Sequence, residues 1–340
     1  MEEVKDKEKR INIDQEYIEK VYKYIKNDMP VDEFKEKFSL NENELKGILE
    51  LSRVYGKNIG LKERNGEVVF QKNSQRTQII TKPSLSSDKL IHTELCVVSD
   101  THFGNKNQQL HLLNEVYEEA HRRGIKTVLH CGDLVDGNYP NRPENPRLQF
   151  LHGFDEQASY VVDMYPKVKG ITTKYILGSH DETHYKNGQA TVNEWISRCR
   201  KDMVYLGQDY AELEINGVKI AMDHPGGGSA QALSYKPQKR IEILESSYKP
   251  KILLIGHYHK TYSFIYRNVR AIDVPCFCVK TQFQQKQGLS NSVGAYFLNI
   301  YSDKKGNIQY FEPEEKLFKP SDMWDEAGRD AKKVKKLVIK

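Results

Sequence analysis

Residues 90–104 read LIHTELCVVSDTHFG, and this stretch decides the fold. TELCVVS (93–99) has the texture of a short strand buried on both faces. It runs directly into Asp100 and His102, two residues apart, so both side chains can converge just past the strand's end. The pattern then recurs. An amphipathic stretch from about Asn107 to Arg122 predicts a helix, and KTVLHC (126–131) is a second buried strand, followed by Asp133 and Asp136 in HCGDLVDG. YILG (175–178), KIAM (219–222) and KILLIG (251–256) are further strands. They lead into Ser179-His180-Asp181, Asp223-His224 and His257-Tyr258-His259 respectively. From Thr261 the chain turns mostly to strand, through YSFIYR, AIDVPCF and AYFLNIY. Strands alternating with helical stretches predict an α/β domain over 90–315, and such folds place their sites at the C-terminal ends of strands. Glycines at 104, 132, 178, 226 and 256 are expected to let the backbone turn sharply there.

These residue types suit one chemistry. Two divalent cations held ~3.5–4 Å apart can grip a phosphate, stabilise its entering and leaving oxygens and supply hydroxide at neutral pH. A shared carboxylate brings two cations that close. Mixed imidazole and carboxylate donors favour manganese first, with iron, zinc or nickel as alternatives, over calcium or magnesium.

In order, Asp100-Thr-His102, Gly132-Asp133-Leu-Val-Asp136, Gly178-Ser179-His180-Asp181, His224 and Gly256-His257-Tyr-His259 resemble the signature of the calcineurin-like metallophosphoesterases. The resemblance covers about residues 92 to 300. It implies two packed mixed β-sheets flanked by helices. It also implies that Asp100, His102 and His259 hold a first metal, that Asp133 bridges, and that His224 and His257 hold a second. His180 would act on the substrate as general acid or charge stabiliser, oriented by Asp181, and Asp136 would fix a ligand or its loop. The family's third motif normally offers an asparagine carbonyl where Ser179 stands here. A serine hydroxyl is a shorter and weaker ligand, so the second site is expected to be the weaker one.

Other residues around the motifs are read two ways. His130 and His184 lie within loop reach of the site and could touch substrate or support a ligand, though a lone histidine is more often a surface or satisfied core residue. Asp223 either orients His224 or caps a turn. The polar stretch 138–157, NYPNRPENPRLQFLHGFDEQ, is long for a connection and could form a rim over the site, with Arg142 or Arg147 meeting a substrate phosphate and His152 nearby. His92, His111 and His121 are assigned no role.

The 340 residues allow one sizeable catalytic domain plus an appendage, with 38% hydrophobic and 29% charged residues and a mean hydropathy of −0.70. No apolar run reaches bilayer length, and the opening MEEVKDKEKR lacks a secretion signal's apolar segment, so a cytoplasmic protein without membrane contact is expected. Five cysteines, odd in number and without a CxxC pair, read as buried thiols. The net charge of +5 is modest, but basic residues gather between Arg53 and Arg76 and between Arg329 and Lys340, where they either meet phosphate or line a solvated face.

Residues 1–71 predict three short helices and a hairpin. Ile18, Val21 and Ile25 mark the first; Pro30 opens the second; Asn41 and Glu44 cap the third, whose buried face would be Leu45, Ile48, Leu49 and Val54; Gly56 stops it. Asn65-Gly66 then signals a hairpin. This order resembles a winged helix-turn-helix, readable as a DNA-contacting module or as a docking or homodimerisation module. Residues 72–89 read as a linker, and 316–340 as a charged tail without a core face. The functional expectation is a phosphodiesterase acting on nucleic acid. A phosphoesterase for a small nucleotide or a phosphoprotein shares the same metal centre, and a DNA-binding or assembly protein with a weakened site is the reading from a different class.

Overall fold

The computed structural model describes residues 14–55, 57, 59–72, 90–142, 145–228, 230, 232–244, 249–286, 288–319 and 336–340. The chain divides into two compact units, Met1–Ser87 and Asp88–Lys340.

In the first unit, α1 (Gln15–Tyr24), α2 (Val31–Phe38) and α3 (Glu42–Val54) precede a hairpin of β1 (Ile59–Arg64) and β2 (Glu67–Lys72). The first and third helices are capped by their own side chains. Asp14 accepts a bond from the Tyr17 amide, and Asn41 and Glu44 exchange side-chain and backbone bonds of 2.8–3.0 Å, a reciprocal cap. Asn65 and Gly66 both take positive φ, as the tight hairpin turn demands. Ile18, Val21, Ile25, Phe34, Leu45, Ile48 and Phe70 form the core. Val54 does not join it. It is 73% exposed, because the helix's last turn runs past the packed layer. The expected stop at Gly56 and most of the linker lie outside the described residues.

The second unit runs in chain order through β3 (Ile91–Val98), α4 (Leu110–Arg122), β4 (Thr127–Cys131), α5 (Asn145–Leu148), α6 (Phe154–Met164), β5 (Lys167–Val168), β6 (Thr172–Leu177), α7 (Glu182–Gly188), α8 (Val192–Cys199), β7 (Met203–Gln208), β8 (Tyr210–Ile215) and β9 (Val218–Asp223). It continues with α9 (Tyr235–Ile243), β10 (Ile252–Ile255), β11 (Tyr262–Tyr266), β12 (Val269–Asp273), α10 (Gln282–Lys286), β13 (Gly294–Ser302), β14 (Ile308–Leu317) and β15 (Val338–Ile339). One six-stranded sheet has the order β14-β13-β3-β4-β6-β7, and a five-stranded sheet has the order β11-β12-β10-β9-β8. Both are mixed: β3, β4, β6 and β7 are parallel neighbours, as are β9, β10 and β12, while the remaining pairs are antiparallel.

Alternation along the strands builds the layers. Leu95, Val97, Leu129 and Ile176 pack against Ile220, Met222, Leu254 and Ile272 of the other sheet. Cys96, Val98, Val128 and Tyr175, one residue out of phase, meet Leu113, Val116, Tyr117, Val161 and Ile196 of the helices. Ala221, Leu253 and Ile255 face Ile241 of α9. The fold is therefore two packed mixed sheets flanked by helices, as the sequence implied. β7 and the helix α8 before it gave too short a signal to be read in advance. The end of the chain also differs from the sequence reading. Leu337 and Ile339 pack on the helix-side core, and β15 pairs in parallel with β5, two alternating apolar residues sufficing once a strand edge is available. Among the described residues, no helix is long and apolar enough to cross a membrane.

Candidate metal centre

The parallel strands β3, β4 and β6 of one sheet and β9 and β10 of the other deliver their C-terminal loops to a common place. Asp100, His102, Asp133, His257 and His259 all adopt positive φ between 44° and 75°. Side-chain-bearing residues avoid that region, so five such positions in one site mark strain held by the surrounding fold. Glycine's part here is mainly space. A methyl group at Gly178 would stand 2.4 Å from Asp133 Oδ1 and 2.7 Å from the His224 ring, and Gly178 itself has no positive φ. Gly132 combines both demands, with φ of 95° and His224 Nδ1 2.4 Å from the place of a Cβ.

Three groups of donor atoms converge: Asp100, His102 and His259; Asp133, His224 and His257; and His102, Asp136 and His180. His259 Nε2 lies 3.1 Å from both Asp100 Oδ1 and His102 Nε2. His224 Nε2 lies 3.1 Å from Asp133 Oδ2, which is itself 4.0 Å from His102 Nε2. Asp133 thus stands between the first two groups.

The donors fit cations and fit little else. His224 gives its Nδ1 proton to the Cys131 carbonyl at 2.7 Å, which leaves the Nε2 lone pair aimed at a carboxylate. That nitrogen and Asp100 Oδ1 are buried without a hydrogen-bond partner. Burial opposes charge on His224, yet Asp133 and Asp100 raise its pKa to about 10, so this corner favours a positive charge. For Asp133 burial pushes upward, but His224, His180 and His102 outweigh it and hold the carboxyl well below its usual range. Buried lone pairs that face one another are the arrangement a metal ion resolves.

Around this floor lies a cleft of about 530 Å³ lined by residues that include His102, Asp133, Ser179, His180, His257 and His259. His180 donates from its backbone to Asp133 Oδ1 at 2.8 Å, and its Nδ1 lies 2.7 Å from the Asp136 carbonyl. That bond selects the tautomer with Nε2 free. Asp181 does not orient it. Its carboxylate accepts the amides of Leu134, Val135 and Gly178, tying the β4 and β6 exits together. The His180 ring nitrogen that could meet a carboxylate turns to the Asp136 carbonyl instead. Asp136 takes bonds from Asn105 and Gln149 and lies 3.5 Å from His102 Nδ1.

The remaining candidates separate cleanly. Asp223 neither orients His224 nor caps a turn: it makes a two-pronged pair with Arg240 at 2.6 Å, because α9 lies over that strand end. His184 is buried against Gln157 and Phe154 and does not line the cleft. His130 sits in the helix-side layer beside Thr101 and Tyr165, and burial lowers its pKa to about 3. Arg142 lines the cleft with its guanidinium 4.4 Å from the Tyr139 ring centre; Arg147 does not line it, and its carbonyl accepts from Lys106. His152 is exposed at the start of α6. Sequence reading passed over Tyr139, whose ring meets His180 edge-on at 4.9 Å, and over Asn105, Gln149 and Arg240. None of these carries a motif; only packing brings them in.

The model of the calcineurin-like phosphoesterase superfamily domain matches residues 94–285. The DNA polymerase II small subunit of Methanocaldococcus jannaschii is 24% identical over 281 residues, 68% of this chain and 46% of that protein. The chain thus spans less than half the length of that curated relative. Among solved structures, an archaeal phosphodiesterase is 15% identical with a TM-score of 0.40, covering 66% of this chain and all of its own. Vps29 of Entamoeba histolytica in complex with zinc is 12% identical with a TM-score of 0.34, covering 67% of this chain and all of its own.

Proposed function

The chain belongs to the calcineurin-like phosphoesterase superfamily, and from that premise we propose that it is a two-metal phosphodiesterase acting on nucleic acid. The observation that carries this reading is the position of Asp133 between two groups of buried donors at the floor of an open cleft. Asp100, His102 and His259 would hold one cation, His224 and His257 the other, with Asp133 shared and Ser179 at the neutral ligand position. Manganese is the first choice, with iron, zinc or nickel next. When bound, the cations neutralise phosphate charge and lower the pKa of water.

The chain's own residues do the rest. His180, held through Nδ1, would meet the substrate with its Nε2 edge, giving the leaving oxygen a proton when the ring is doubly protonated, or stabilising its charge. Arg142 stands on the rim, braced by Tyr139, where a substrate phosphate would pass. The likeness to a polymerase subunit supports nucleic acid as the substrate class. That same relative supports a second reading, a subunit of a DNA-processing assembly whose site is weakened at Ser179. One panel separates the two: metal-free protein, manganese added back, then a chromogenic diester, a chromogenic monoester and single- and double-stranded DNA. Turnover of the diester and DNA is expected. Inactivity on every substrate with manganese bound would favour the assembly reading, and preference for the monoester would move the substrate to a small phosphoester or phosphoprotein.

A further inference from the structure

Beyond the ligands, the side of the cleft formed by Gly226–Gly228, Tyr258 and Lys260 carries more than the Gly227 carbonyl that accepts from His257 Nε2 at 2.7 Å. Lys260 follows the ligand His259 and is half-buried at the cleft edge. It also borders a small adjoining pocket with Tyr258, Lys236 and Asp273. Asp273 ends β12, is 1% exposed, and its Oδ1 finds no hydrogen-bond partner. Burial raises its pKa to about 7, with the charge of Lys260 pulling the other way. Lys236 reaches the same place from α9, its Nζ 4.0 Å from where a Cβ on Gly227 would be.

A buried carboxyl oxygen without a hydrogen-bond partner is costly unless a nearby charge offsets it. Here the group within its electrostatic reach is an ammonium at the mouth of the cleft. Two lysines beside a run of three glycines, whose backbone can come close to a ligand, are the chemistry that grips a phosphate. The pocket itself has room for no more than a water or an ammonium group, so it takes no base.

We propose that Lys260, positioned by Asp273 and seconded by Lys236, binds a phosphate adjacent to the one being cleaved. This rests on the phosphodiesterase reading and narrows it: the preferred substrate carries at least two phosphates in series, as a strand does and a cyclic mononucleotide does not.

The test compares the dinucleotide TpT with pTpT and TpTp on the full-length manganese-loaded protein. One added phosphate is expected to raise kcat/KM about tenfold on one side of the scissile bond, through KM. Lys260→Ala should reduce that preference below twofold while kcat for TpT changes little, Lys260→Arg should restore most of it, and Asp273→Asn should weaken it with Lys260 still present. Equal preference in Lys260→Ala, or no preference in the unmodified protein, overturns the inference. Should no diester turn over at all, the phosphodiesterase reading fails separately. Calorimetric binding of the same three ligands then decides the subsite, an affinity ratio unchanged by Lys260→Ala counting against it.

Discussion

His180 and Ser179 stand side by side and have opposite tests. His180 touches Asp133 only through its backbone amide and gives its Nδ1 proton to a carbonyl, so its Nε2 is the atom left for the substrate. His180→Ala should lower kcat by about 10²–10⁴-fold, the usual scale for a lost general acid, with metal content unchanged. An emptied metal site in that variant would reassign it as a ligand. Ser179 borders the cleft beside the second donor group but offers only a hydroxyl. Ser179→Asn should tighten the weaker cation by roughly 10–100-fold, merging two calorimetric binding steps into one. His184, the first imidazole after the third motif, is engaged with Gln157 and is not expected to supply the missing donor. Two equally tight sites in the unmodified protein, unaltered by the substitution, would remove the basis for this prediction.

At the level of elements, the strand exits carry the site, and their spacing depends on what is absent from the glycines. β6 ends at Leu177, and Gly178 lets Asp133 and the His224 ring pass within van der Waals range of its backbone. Gly178→Ala would put a methyl group 2.4 Å from Asp133 Oδ1, so metal affinity should fall at least tenfold even if the sheets still form. Metal analysis alongside thermal melting checks this; full occupancy at wild-type stability would show that the loop can shift. The strands and the main helix were readable from periodicity, because buried parallel strands are short apolar runs bounded by turns. The partners of Asp181 and Asp223 were not. An aspartate that caps amides and one that pairs with an arginine 17 residues later look identical in a sequence.

For the whole molecule, the division at Ser87 sets the main question of partners. The first unit has its own core, capped helices and a hairpin, with Lys57 and Lys72 over the Tyr22 ring. Its reading as a winged, DNA-contacting module remains our proposal, with a homodimerisation or docking module as the alternative. A chain starting at Asp88 should keep hydrolysis of a chromogenic diester and lose about tenfold or more in DNA affinity. Binding by the full-length chain should weaken steeply with salt, since phosphate contacts release counterions. Equal affinity with and without residues 1–87 would point to docking or dimerisation.

Local chemistry was enough to read the α/β class, the five strand exits, the three-helix-and-hairpin order and the ligand candidates. Each depends on residues within a few positions of one another: caps, alternation, a glycine beside an aspartate. Tertiary structure alone decided which polar side chains meet. It placed Asp133 between two donor groups, gave Asp181 to the backbone and Asp223 to Arg240, withdrew His130 and His184 from the cleft, and brought Tyr139 and Lys260 to its edge. It also returned Leu337 and Ile339 to a core that their own segment gave no sign of having. The reason is that a hydrogen bond or an ion pair is set by direction and distance in space, and neither is encoded in separation along the chain.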